Sequence, residues 1–167
     1  MTGTVYPHGT ATTSSVNAAA GRGLALARVC IGAMFVYVFF ENYGKGLYTP
    51  GGYAELIRWY AANDSAPQIW KSIMGLAAEN ARIAAPMQGL AEISFGVLLV
   101  VGLFTRPVAF AAGAFLASLW ISEWGTGWIW ELLVPLWTAF AVSIGAGGRT
   151  WGLDARLSAR NPDSLLW

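Results

Sequence analysis

The sequence predicts an all-α protein: an integral membrane bundle of four helices, with short interfacial helices in its first extramembrane connection. Three observations carry this. The 167 residues are 56% hydrophobic and only 11% charged, with a mean hydropathy of +0.50, too apolar for an ordinary soluble domain. Four apolar runs, each near the length of a membrane span, are separated by Gly, Pro and polar residues. Trp120, Trp124, Trp128 and Trp130 gather at the adjoining ends of the third and fourth runs, as indoles do at a membrane interface.

Residues 1–20 contain no Lys or Arg and no apolar core, so they lack the parts of a signal peptide and read as a flexible tail. A transmembrane domain is expected over 21–157. Leu24 to Phe40 is almost wholly apolar, and a helix over about 24–43 nearly spans a hydrocarbon core of ~30 Å. Gly44, Gly46, Pro50, Gly51 and Gly52 break the pattern. Tyr53, Leu56, Ile57 and Tyr60, then Ile69, Ile73, Leu76 and Ala77, recur at helical spacing, which predicts interfacial helices over about 52–62 and 67–81. Pro86, in a first turn, opens a second span over about 86–104. The connection Thr105–Arg106–Pro107 is so short that the third span, about 107–122, must return antiparallel. The fourth, about 128–145, stops at Gly145, Gly147 and Gly148, and 158–167 is expected to be a C-terminal tail.

Arg22, Arg28, Arg106, Arg149, Arg156 and Arg160 fall on one side, against Lys45, Arg58, Lys71 and Arg82 on the other. This bias favours both termini in the cytoplasm; the expected location is a bacterial or archaeal cytoplasmic membrane, crossed several times. A net charge of +1 without basic runs excludes a nucleic-acid footprint. Cys30 is the single cysteine and lies in an apolar run, where packing is its expected role; His8 is the single histidine. No haem, iron–sulfur or metal site is therefore expected.

The helix directions bring Glu41, Glu92, Glu123 and Glu131 to one depth, toward the outer face. Ionisable groups within a bilayer turn inward and mark sites, and Glu92 and Glu131 fit that description best. Gln88 and Gly96 flank Glu92 by one turn each, while Glu131 shares a helix face with Pro135 and Thr138, so the two stripes are expected to face one another. The plainer reading is that both acids hydrogen-bond the helices together. Glu41 and Glu123, at helix ends, can simply reach water, Lys45 has the spacing of a surface partner for Glu41, and Arg28 is expected to snorkel to headgroups.

Arg28, Gly32 and Phe35, the segment NYGKGLYTP (Asn42 to Pro50), Glu92 ahead of GLFTR (Gly102 to Arg106), and GGRTWGLD (Gly147 to Asp154) together resemble the DoxX/DoxD-like family. The similarity runs from about Arg28 to Leu157. It implies a four-helix membrane protein, some relatives being subunits of thiosulfate:quinone oxidoreductases and others partners in membrane redox or thiol-stress complexes. The KGLY segment and SEWGTGWIWE (Ser122 to Glu131) look closest to the thiosulfate:quinone branch.

The reading that follows is an oxidoreductase subunit passing electrons from thiosulfate or another small reduced sulfur compound to quinone, alongside other membrane or periplasmic subunits. Glu92 and Glu131 are the candidate proton-exchanging residues, since low dielectric favours a protonated carboxyl group. Lys45, Gln88, Glu123, Trp124 and Trp128 are the candidate binding residues, with quinone entering among Trp124, Trp128 and Trp130 and the anion drawn in by Lys45, Arg58 or Lys71. The alternative is a non-catalytic scaffold in a larger redox or photosynthetic complex. A permease is a third reading, weakened by the lack of a paired repeat.

Overall fold

The structure, a computed structural model, describes residues 10–167, and among them every regular element is helical. In chain order these are α1 (Thr10–Gly44), α2 (Pro50–Asn63), α3 (Gln68–Glu79), α4 (Ala81–Val101), α5 (Thr105–Ser122), α6 (Ile129–Ile144), a 3-10 turn (Gly147–Arg149) and α7 (Asp154–Arg160). Helix α1 packs on α4, α4 on α5, α5 on α6, and α6 on α1, closing a ring of four. Helices α2 and α3 pack on each other and against α4, with α3 also touching α5.

The ring is filled by Ile31, Phe35, Leu99, Ala109, Ala112, Leu116, Leu136, Ala139 and Val142. Phe35 meets Phe95 edge-on at 5.5 Å, and Phe115 stands 5.8 Å from Phe95. These rings and short aliphatic side chains interlock as in any packed interior. The close crossing of α1 and α4 depends on two glycines: a Cβ on Gly32 would stand 2.7 Å from the Val100 amide nitrogen, and one on Gly96 would stand 3.0 Å from that of Val36. Small residues at such a crossing let two backbones approach where no larger side chain fits.

Outside the ring the helices present Leu26, Phe40, Ile83, Met87, Leu90, Phe110, Val134, Trp137 and Ile144, all exposed. Two segments, Ser15–Gly44 and Ala81–Val101, are long and apolar enough to cross a membrane. Helix α6 is apolar but has 16 residues, roughly 24 Å of rise, short of a ~30 Å hydrocarbon core. The expectation of four full-length spans thus meets two long apolar helices and two shorter partners in the ring.

Several boundaries differ from the sequence expectation. Residues 10–20, expected in the tail, continue α1, because Thr, Ser and Ala without Gly or Pro extend an existing helix at little cost; residues 1–9, with His8, lie outside the described residues. Pro86 sits inside α4 rather than in its first turn, since the strong helix formers of 81–85 start the helix earlier and one lost N–H bond near a helix start is tolerated. Cys30 is exposed on the outer face of α1 rather than packed inside. The 3-10 turn and α7 follow α6 where no element was expected before the tail.

Candidate functional site

The polypeptide between α1 and α2 folds back over α4. Gly46 takes φ +71°, a left-handed conformation that costs glycine little, the Leu47 amide donates to the Asn42 carbonyl at 3.0 Å, and Thr49 Oγ1 accepts from the Gly52 amide to cap α2. This turn lays the Tyr48 ring parallel to Phe39 at 5.3 Å and against Gly89, where a Cβ would come within 3.0 Å of the ring. The Tyr48 hydroxyl then donates to Glu92 Oε2 at 2.6 Å. Asn42 Nδ2 donates to the same oxygen at 3.2 Å, and Gln88 Nε2 donates to Oε1 at 2.9 Å. Glu92, only 1% exposed, is held by α1, by the α1–α2 turn and by its own helix.

A second acid stands at the end of the neighbouring helix. Glu123, at the C-terminus of α5, accepts from the Tyr60 hydroxyl at 3.0 Å. Glu131, in the first turn of α6, is exposed and near enough to act electrostatically on Glu123 and Tyr60. The α2–α3 connection is pinned alongside: the Ser65 amide donates to the Trp124 carbonyl at 2.6 Å, and Trp70 Nε1 donates to Ser122 Oγ at 2.9 Å.

Glu92, Glu123 and Glu131 line one cavity of about 500 Å³, within the range of small-molecule sites. Its floor is Met34, Phe35, Val38, Leu116 and Leu119; its polar wall includes Asn42, Lys45, Tyr60, Gln88, Glu92, Glu123 and Glu131. The structure thus brings together Glu92, Glu131, Lys45, Gln88 and Glu123. Trp124 and Trp128 stand apart, lining a neighbouring cleft of about 330 Å³ with Trp120 and sharing only Glu123 and Leu132 with the larger cavity. The indole of Trp124 stacks on Trp120 at 5.1 Å.

The cations expected to draw in an anion are otherwise engaged or elsewhere. Lys45 binds Glu41 at 2.6 Å, as its spacing suggests. Lys71 reaches Asp64 Oδ1 at 2.9 Å and the carbonyls of Ala61 and Asp64, fastening the α2–α3 connection. Arg58 lines a separate groove with Arg82.

Burial raises the Glu123 carboxyl group above its ordinary value, with a further push from Glu131, while the Tyr60 hydrogen bond opposes it. Burial likewise raises the Tyr60 and Tyr48 hydroxyls, reinforced by Glu123 and Glu92 respectively, so both remain neutral donors at physiological pH. A raised acid binds its proton more tightly when folded. Its contribution to stability is therefore complete below the ordinary value of 4.5 and is lost as pH rises through the folded value. Thermal unfolding in detergent should show less loss of stability on going upward from pH 4.5 in Glu123→Gln than in the parent; parallel pH profiles would contradict the shift.

A second polar cluster occupies the other end of the ring. Arg28, expected to snorkel, is instead 0% exposed: glycines at 102 and 152 leave room for its guanidinium, and Nη2 donates to the Trp151 carbonyl at 3.2 Å. Asp154, equally buried and the acidic neighbour of Arg28, accepts the Phe104 amide at 2.9 Å and the Thr105 amide at 2.8 Å. It thereby caps the start of α5, while the Asp154 amide donates back to the Gly102 carbonyl at 2.9 Å.

Residues 23–123, more than half of the chain, match the DoxX family. The chain belongs to the DoxX family. No curated protein and no solved structure matches it. The DoxX match includes Arg28, the Asn42–Pro50 turn, Glu92, the Gly102–Arg106 segment and Glu123, and stops before Trp124, Trp128, Glu131 and the Gly147–Asp154 segment. It is a match to the family as a whole, and together with the two long apolar helices it suggests a membrane protein. Sequence reasoning singled out the acids of this DoxX protein, with Gln88 beside Glu92 and Lys45 beside Glu41, but not their partners from other segments. Tyr48 and Asn42 stood only within a quoted segment, and Tyr60 stood only within an apolar helical pattern. A tyrosine beside a Gly-rich turn close to a buried acid was the available signal.

Proposed function

We propose that this DoxX-family chain is a membrane subunit of an oxidoreductase, and that the cavity beside Glu92 seats the headgroup of a quinone. The observation that carries the reading is a buried glutamate bound by Tyr48, Asn42 and Gln88 on the wall of a cavity with an apolar floor. A planar ring with two carbonyl oxygens suits such a space: Phe35, Val38 and Leu116 would pack against the ring, and the second N–H of Gln88 would donate to an oxygen. A bound quinone supplies a two-electron, two-proton acceptor. The chain's part is to deliver protons. The Tyr48 hydroxyl at 2.6 Å bridges Glu92 to the α1–α2 turn, and exposed Glu131 stands where protons enter from water.

The same charges limit what else enters. Exposed Glu131 lines the cavity, and Lys45, the one cation lining it among the described residues, is neutralised by Glu41, so a sulfur anion finds no free positive charge in this space. In the thiosulfate:quinone reading, which rests on the DoxD-like resemblance, the donor is oxidised on a partner subunit and only its electrons reach this chain. The four-helix ring then stands in the bilayer, with α5 and α6 shorter than the hydrocarbon thickness, a mismatch that local thinning of the bilayer accommodates.

The scaffold reading keeps one specific support: the hydrogen bonds from Asn42 and Tyr48 to Glu92 also tie α1 and the turn to α4. The discriminating experiment is quinone reduction by the purified native assembly, with thiosulfate as donor and a matched assembly lacking this chain as control. Loss of activity with the other subunits still assembled is the expected result, and unchanged activity would hand the case to the scaffold.

A further inference from the structure

Away from the carboxylate cavity, α2, α3 and α4 enclose a groove of about 520 Å³. Its walls are small, Gly51, Ala54, Ala78 and Ala81 among them, and two guanidinium groups, Arg58 and Arg82, line it. Both arginines are exposed, and among the described residues neither makes a hydrogen bond or an ion pair. Glu79 lines the same groove without pairing with either, leaving one unbalanced positive charge. The first turn of α4 contributes Ala81, Arg82 and Ile83 to the wall. From Ile83 an apolar line runs outward along α4 through Met87 and Leu90, exposed by 68%, 59% and 60%, at the one-turn spacing of a single helix face.

We propose that this groove binds the phosphate of an anionic phospholipid, held by Arg58 and Arg82 while an acyl chain lies along Ile83, Met87 and Leu90. A charged head beside a continuous apolar stripe matches a lipid rather than a free anion, which has nothing to place on that stripe. Guanidinium groups suit phosphate oxygens because they offer paired N–H donors in one plane. The position of Arg82, one residue into the apolar helix α4, is where a headgroup lies when that helix crosses a bilayer. The assignment needs only the bilayer setting of the chain and stands whether or not quinone occupies the other cavity.

The test is native mass spectrometry of the full chain in detergent, with dioleoyl phosphatidylglycerol and dioleoyl phosphatidylcholine as probes. Phosphatidylglycerol should be retained and phosphatidylcholine lost, and Arg58→Gln/Arg82→Gln should weaken retention about tenfold. Because both side chains are exposed and unpaired, the double variant should unfold at the parent's temperature. Should it misfold, Arg58→Lys/Arg82→Lys, which keeps the charge, and Glu79→Gln, which removes the opposing one, carry the test. The first should retain the lipid and the second should hold it more tightly. Equal retention of both lipids, full retention by a folded double Gln variant, or weaker retention by Glu79→Gln would overturn the proposal. Displacement of phosphatidylglycerol by equimolar inorganic phosphate would make this a free-oxyanion site and overturn the lipid assignment.

Discussion

Glu92→Gln in the intact assembly is expected to lower quinone reduction about 100-fold, the scale of a lost proton-transfer group. The amide keeps the volume and one carbonyl oxygen but cannot carry the proton. Its NH2 group also meets a donor that formerly had an acceptor: Tyr48 and Asn42 approach one carboxylate oxygen, Gln88 the other. That mismatch should cost about 1–3 kcal/mol of stability, so the variant must be shown by thermal unfolding to be assembled before its rate is read. Glu131→Gln, at an exposed position without such bonds, should leave the melting temperature unchanged and slow the reaction by about tenfold. If both glutamine variants reduce quinone at the parental rate, the proton-transfer role is wrong. Glu92→Ala separates structure from chemistry, since it strands three donors and should destabilise by about 3 kcal/mol or more, whatever the reaction does.

Asp154→Ala should be the more damaging change for the fold, at about 3–5 kcal/mol. It uncaps two backbone amides at the start of α5 and leaves the buried Arg28 without its acidic neighbour. Arg28 already carries two nitrogens, Nε and Nη1, without a hydrogen-bond partner, so no other group is in place to balance it. Asp154→Asn, which keeps one acceptor and loses the charge, should fall between the parent and the alanine variant. Thermal unfolding in detergent gives the comparison; a loss of less than about 1 kcal/mol in Asp154→Ala would mean that the C-terminal segment does not hold the ring. Arg28→Ala/Asp154→Ala should cost less than the sum of the single changes, because each alone strands a charge that the other neutralises.

The two sites place the four sequence segments of the family resemblance in space. Arg28 meets Gly102 to Thr105 and Trp151 to Asp154 at one end of the ring, while Asn42 and Tyr48 meet Glu92 toward the other. Along α1, Arg28 and Asn42 lie 14 positions apart, about 21 Å of helix. Helical periodicity made α1 to α6 legible, because burying one face of a helix imposes a repeat on the sequence. The ends of helices were less so: α1 runs on through 10–20 and α4 begins before Pro86, since neighbouring helix settles an end that local composition leaves open. Arg28 was misread for a related reason. An arginine near a helix end reads as a snorkelling group unless one knows that glycines from two distant segments leave a hollow for it.

By itself, the sequence determined that this protein is helical, that its surface is apolar, and that acidic side chains occur where an apolar helix must justify them, because these properties follow from composition and from the period of one helix. Only the tertiary structure decided which acid is enclosed, which tyrosine binds it, and that the tryptophans line a separate cleft. Those facts depend on how a turn with positive φ at Gly46 folds back and on how closely Gly32 and Gly96 let α1 and α4 approach. Such contacts join residues far apart in the chain, and no local pattern encodes their distance.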